Sequence, residues 1–320
     1  MPEILRFDAA LKKIGNESCS ILLGNGFSAA YCGYRTLLDK SGLAADAPCR
    51  ILFDRLDTPN FERVVRALED AAIVERAYGR EVEADKLLAD AEVVRKALIT
   101  AIQAAHPTHL DKIKGVIPNC LEFLNPFIRV FTTNYDLLLY WVMIKSRQFG
   151  DGFYLAQEEN GFRGPFVEDN RCNVYNIHGG LHLFLRKDGE TEKRLAGADG
   201  GLEAIAQTIE NNNRFPIYVA EGSTESKQAR IASIPYLKLC FERLKESRGC
   251  FFVYGSAADD NDAHIYNALF ASKISHLYFC IYDLNELAAL DGKLAKYQKS
   301  NRSKVQYTFV DSKSAGVWGD

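Results

Sequence analysis

The chain has 320 residues, enough to bury a full-sized core in one large domain or two modest ones. With 47% apolar and 25% charged residues it is composed as an ordinary globular protein, and a net charge of -3 gives no broad basic footprint for nucleic acid. No run approaches the roughly 20 apolar residues of a membrane span, and the start, Met1-Pro-Glu-Ile-Leu-Arg, lacks the basic and apolar regions of a secretory signal, so a cytoplasmic location is expected.

Ser20–Leu23 is the first buried strand predicted, and it runs into Gly24-Asn25-Gly26-Phe27-Ser28. Glycine lets backbone amides approach a phosphate and a helix start adds partial positive charge, which makes these five residues candidates for cofactor binding. Tyr31 stands where the dinucleotide fingerprint has its third glycine, and a tight strand–helix turn explains the segment as well. From about Arg50 to Ala105 the pattern is almost wholly helical. Leu87, Leu88, Val93, Val94, Leu98 and Ile102 keep close to helical period, and His106-Pro107 ends the run. Residues 50–118 are therefore expected to form a helical insertion between the first two strands.

Ile128–Thr132 is the second strand predicted, followed by Thr133, Asn134 and Asp136 where open α/β sheets bind their ligands. Asn134 or Asp136 serves equally as a cap for a helix over Leu137–Ser146. Val174–Ile177 predicts a strand leading into His178-Gly179-Gly180, whose glycines leave the imidazole room and whose histidine suits proton transfer near neutrality. His182 pairs poorly with His178 for metal, because the glutamate of H-E-x-x-H is missing. The polar stretch Gly189–Gly201 is expected to be a mobile loop, Pro216–Val219 a strand and Gln228–Glu246 helical. Gly249–Tyr254 and Leu277–Tyr282 are the remaining buried runs. Gly255-Ser256 repeats the logic of the first turn. The acidic run Asp259–Asp262 lacks EF-hand spacing and reads as the solvated start of a helix over Asp262–Ser272. Asp283, past the last of these strands, can accept hydrogen bonds from a ribose or an adenine edge. Tyr135, His182 and Glu221 lie near strand ends without a role.

Strands alternating with helices predict an α/β fold: a Rossmann-like, doubly wound, mostly parallel sheet with a helical insertion subdomain. One domain over 1–320 would draw its sheet from about 14–40, 120–185 and 214–311. Eight cysteines, Cys19, Cys32, Cys49, Cys120, Cys172, Cys240, Cys250 and Cys280, include no C-x-x-C pair, so reduced buried thiols are expected rather than a zinc site.

Taken in order, Gly24-Asn-Gly-Phe-Ser28, Thr132-Thr-Asn-Tyr-Asp136, His178-Gly and Gly255-Ser resemble the sirtuin-like superfamily, in particular its bacterial branch of NAD-hydrolysing antiphage effectors. The resemblance implies NAD as substrate and no metal. Asn134 would position the nicotinamide ribose and the attacking nucleophile, and His178 would act as general base. Gly24, Gly26 and Ser28 would hold the phosphates, Gly255 and Ser256 the second ribose or phosphate, and Asp283 the adenosine end. Protein-deacylating sirtuins carry two C-x-x-C zinc pairs that this chain lacks, which favours water over an acyl-lysine as acceptor. The implied activity is that of an NAD glycohydrolase switched by a regulatory partner or by homo-oligomerisation. A non-catalytic nucleotide sensor, a deacylase and an ADP-ribosyl transferase are the alternatives.

Overall fold

A computed structural model describes residues 3–32, 37–154, 161–195, 201–212, 214–219 and 223–319. Seven strands make one parallel sheet: β1 (Ile4–Arg6), β2 (Cys19–Leu23), β3 (Arg129–Thr132), β5 (Val174–Asn176), β9 (Arg248–Tyr254), β10 (Lys273–Ile281) and β11 (Gln306–Asp311). Their spatial order is β1-β11-β10-β9-β2-β3-β5. A second, antiparallel sheet holds β4 (Phe162–Arg163), β7 (Thr191–Arg194), β6 (Gly179–Leu185) and β8 (Pro216–Tyr218), in that order. Helices connect the parallel strands, so the fold is Rossmann-like α/β.

The near-continuous apolar strands are explained by burial on both faces. Ile21 and Leu23 of β2 enter one core with Val130 and Phe252, while Leu22 enters the other with Phe131 and Phe251. Between β2 and β3 run the helices Pro48–Arg55, Phe61–Ala77, Glu81–Ala105 and Ile117–Leu124, and Phe53, Phe61, Val64 and Leu98 extend the first core. Asn60 caps Phe61–Ala77 through the amide of Glu62 at 2.9 Å, a contact worth about 1 kcal/mol. Glu81–Ala105 ends at His106, one residue before Pro107, as proline requires.

Part of the stretch Gly189–Gly201 is strand rather than the loop expected of it. Thr191–Arg194 forms β7 against β6, because Lys193 is buried with Asp151 as its ion partner and Arg194 lies over the Phe162 ring. Residues 196–200 lie outside the described residues. The predicted helix Gln228–Glu246 is two helices, Thr224–Ser233 and Pro235–Lys245, since the residue before a proline is driven to extended backbone and Ile234 adopts it. All eight cysteines are buried and free. Among the described residues no helix is long and apolar enough to cross a membrane.

Candidate active site

From β2 the chain moves outward to β3 and β5, and from β9 it moves the other way to β10 and β11. The reversal between β2 and β9 is a topological switch point, where open α/β sheets form their ligand crevice. The register makes the strand ends level: Leu23 pairs with both Tyr254 and Thr132, and Thr132 pairs with Asn176. The glycine turn after β2, the Gly255-Ser256 turn after β9, Thr133-Asn134 after β3 and His178 after β5 are thus brought to one edge by four adjacent strands.

The two glycine turns pack against each other. The amide of Gly26 donates to the Gly255 carbonyl at 2.7 Å, that of Gly24 to Tyr254 at 2.8 Å, and that of Phe27 to Gly24 at 2.9 Å. Gly255 has φ +73, and a Cβ there would lie 2.5 Å from the Phe27 nitrogen. These glycines permit close backbone contact, and the amides of Gly24 and Gly26 face protein carbonyls. Phe27 is buried under Trp318, whose indole N–H donates to the Phe27 carbonyl at 2.6 Å. Asn25 is exposed at the rim.

Asn134 is 4% exposed. Its side-chain nitrogen donates to the Gly24 carbonyl at 2.9 Å and to the Ser28 hydroxyl at 3.1 Å, tying the β3 end to the first turn. Its side-chain oxygen is buried and has no hydrogen-bond partner among the described residues. Thr133 is half-buried and donates from both backbone and hydroxyl towards Leu23. Asp136 accepts from the Leu138 amide at 2.8 Å, an Asx turn that starts the short helix Leu138–Met143. His106 accepts from the Leu137 amide at 2.8 Å and faces the Pro107 carbonyl with Nδ1, which requires the neutral Nδ1–H tautomer. Burial lowers its pKa, while Asp136 acts to raise it.

His178 is 5% exposed and stands where the parallel sheet gives way to the antiparallel one. Gly179 (φ +77) lies against the Ile217 carbonyl, so it serves the β6–β8 contact. The Nε2 atoms of His178 and His264 meet at 3.1 Å, with the rings nearly stacked. Burial pushes the His178 pKa down to about 3 against the pull of Asp262, and His264 down to about 4 for the same reasons. Asp262 accepts from Lys227 Nζ at 2.7 Å. His178, Asp262 and His264 bring ligand-type atoms within 4.8 Å of one another, as do Cys32, His106 and Asp136. In the first set Lys227 already places a cation on the carboxylate, and in the second both His106 nitrogens are engaged.

The other candidates spread outward. The Ser256 hydroxyl meets that of Tyr266 at 2.5 Å, and Asp283 is exposed past β10, its carboxylate accepting from Asn285. His182 stacks on Tyr140 with Nδ1 unpartnered, and burial pushes its pKa down to about 3; it does not face His178. The Tyr135 carbonyl accepts from Leu181 at 2.8 Å. Glu221 lies outside the described residues. Asp262, His264 and Lys227 were not singled out as site residues; only the acidic run gave a signal, and it pointed to solvent. A cleft of roughly 490 Å³, lined by residues that include Asp54, Asn60, Arg63, Val219, Ser226 and Arg230, meets the site through Val219, whose amide donates to the His178 carbonyl at 2.8 Å; neither Asn134 nor His178 lines it.

Known proteins bear on this arrangement as follows. A family model described as a domain of unknown function (DUF4917) matches residues 21–318. No curated protein matches the chain. Among solved structures the chain is similar to the crystal structure of a Sir2 homolog–NAD complex, at 14% identity and a TM-score of 0.35, with 93% of this chain and 97% of that one covered. The family match runs from Ile21 in β2 to Trp318 on the first glycine turn, and the chain belongs to the DUF4917 family.

Proposed function

We propose that the chain is an NAD glycohydrolase, cleaving NAD to nicotinamide and ADP-ribose at the level ends of β9, β2, β3 and β5. The observation that carries this reading is the juxtaposition of strand ends at the switch point, with the Asn134 side-chain oxygen buried and unpartnered there. Leaving such an acceptor unpaired costs about 1–3 kcal/mol, and a ribose hydroxyl or a water would relieve it. Departure of nicotinamide leaves an oxocarbenium-like centre that needs orientation more than a strong nucleophile. A histidine with a pKa of about 3 keeps its lone pair at neutral pH but is a weak base, so His178 orients and draws on an O–H rather than ionising it beforehand.

Gly24 and Gly26 contribute closeness rather than free amides, Gly255 packs against them, and the hydroxyls of Ser28 and Ser256 with Asn25 and Thr133 border the pyrophosphate. Phe27 and Asp136 support the wall from behind, and Asp283 takes the adenosine end. The missing C-x-x-C pairs turn the reading away from deacylation. A nucleotide sensor is the second reading, favoured by the burial of both Asn134 and His178. Exposed Ile73, Val74, Tyr78 and Val82 around the helical hairpin turn suit control by a protein partner or a second copy, as in a defence effector.

The test is free nicotinamide released from NAD by wild type, Asn134→Ala and His178→Ala, with melting curves of each. Release abolished in both folded variants supports the hydrolase. NAD binding without turnover, at any protein concentration and under any partner condition, refutes it in favour of the sensor.

A further inference from the structure

Behind His178 lies a set of buried groups that the roles of Asn134 and His178 leave unused. Two neutral imidazoles whose Nε2 atoms stand 3.1 Å apart need one hydrogen between them, donated by one ring and accepted by the other. His264 is buried, and its Nδ1 meets no partner among the described residues. The Asp262 carboxylate is the strongest charge acting on both rings, so it stabilises positive charge on the pair, while the direction of the shared hydrogen follows from which nitrogen His178 must keep bare to act as base. Lys227, itself buried, binds Asp262 at 2.7 Å and keeps it ionised, while its own charge opposes a divalent ion at the same carboxylate. These groups, Asp262, His264 and Lys227, are the charged and titratable neighbours that act on His178.

We propose that His264 is the positioning residue of His178: His178 donates its Nε2–H to Nε2 of His264, which fixes Nδ1 as the lone-pair atom presented to the substrate. The proposal rests on His178 being the base of the cleavage reaction. As the oxygen of a water bonds to C1′ of the ribose, the C1′–N bond breaks and its electron pair leaves with nicotinamide; the water's O–H bond breaks and an N–H bond forms at Nδ1, while the Nε2–H stays on His178. The imidazolium is then held between the His264 lone pair and the Asp262 charge, and its proton returns to solvent after product leaves. This is the logic of a base oriented by a third group.

The tautomer is read directly by long-range proton–nitrogen NMR on histidine-labelled protein. We expect His178 to show a protonated Nε2 and a bare Nδ1 in wild type, and to become a tautomer mixture in His264→Phe, which keeps the ring stack. A wild-type His178 carrying its hydrogen on Nδ1, or a tautomer unchanged in the variant, overturns the proposal whether or not the protein cleaves NAD. In the nicotinamide assay His264→Phe should lose at least tenfold in kcat with KM within twofold. A kcat within twofold of wild type overturns it as well, while inactivity of the wild type itself speaks only against the hydrolase.

Discussion

Three buried histidines make the protein acid-sensitive in a way that one substitution dissects. His178 and His182 are pushed down to about 3 and His264 to about 4, whereas an unfolded histidine titrates near 6.5. The folded state therefore refuses protons that the unfolded chain accepts, so this stability is complete above about pH 6.5 and is lost as pH falls towards the folded values. At pH 5 the loss is about 2 kcal/mol per histidine, or about 6 in all, against a total of some 5–15 kcal/mol. His106, also lowered by burial, adds the same sign. His182→Phe removes one of the three protons while keeping the stack on Tyr140 at 4.8 Å and eliminating an unpartnered Nδ1. Urea unfolding followed by circular dichroism between pH 7 and pH 5 should give a mean slope near 3 kcal/mol per pH unit in wild type, falling to about 2 in the variant. A wild-type stability flat over that range, or a slope unchanged by His182→Phe, would refute the reasoning.

Gly255→Ala should lower stability by at least about 2 kcal/mol, since a left-handed alanine costs about 1–2 and its Cβ would stand 2.5 Å from Phe27; a thermal melt within a degree of wild type would count against the turn–turn contact. Every cysteine is buried and none has a lowered pKa, with Cys49 and Cys250 raised to about 11, so a thiol reagent should label none of them within minutes in native protein and eight after denaturation. Stoichiometric fast labelling would show that one of these sites opens. Ser226→Trp plants an indole in the cleft beside Val219 from an exposed helix position. It should cut kcat/KM for NAD at least tenfold with melting unchanged, and an unaltered value would exclude the cleft as the way in.

The strands that proved legible are those buried on both faces. Cys19–Leu23 and Arg248–Tyr254 offer apolar side chains to two cores at once, so they lack the alternation that makes helices and one-sided strands ambiguous. The edges did not announce themselves. β1, at the edge, has three residues, and β11 beside it mixes Gln306, Thr308 and Asp311 with apolar ones, so neither shows a continuous apolar run. The antiparallel sheet was missed for a different reason: the Thr191-Glu-Lys-Arg194 strand is polar, and its burial depends on Asp151 and Arg214 reaching Lys193 and Glu192 from distant segments. No local pattern contains that information.

The site divides along the same line. Each of the four motifs was visible because a strand end followed by glycine or short polar residues is a local feature. Their adjacency follows from strand order, and a right-handed doubly wound sheet makes that order inferable from the alternation of strands and helices. What the glycines do was not inferable. Gly24 and Gly26 look the same in sequence whether their amides face a phosphate or the Gly255 and Tyr254 carbonyls, and only the register of β2 on β9 distinguishes the two. His264 was hidden for a further reason. It sits early in the helix Ala263–Ala271, after an acidic run that on its own reads as solvated, and its value comes from a ring 86 residues earlier in the chain. A polar residue that acts by supporting another carries no signature of its own: its environment is set by the loops that fold over it, and the contact that gives it meaning exists only after β5 and β9 are both in place.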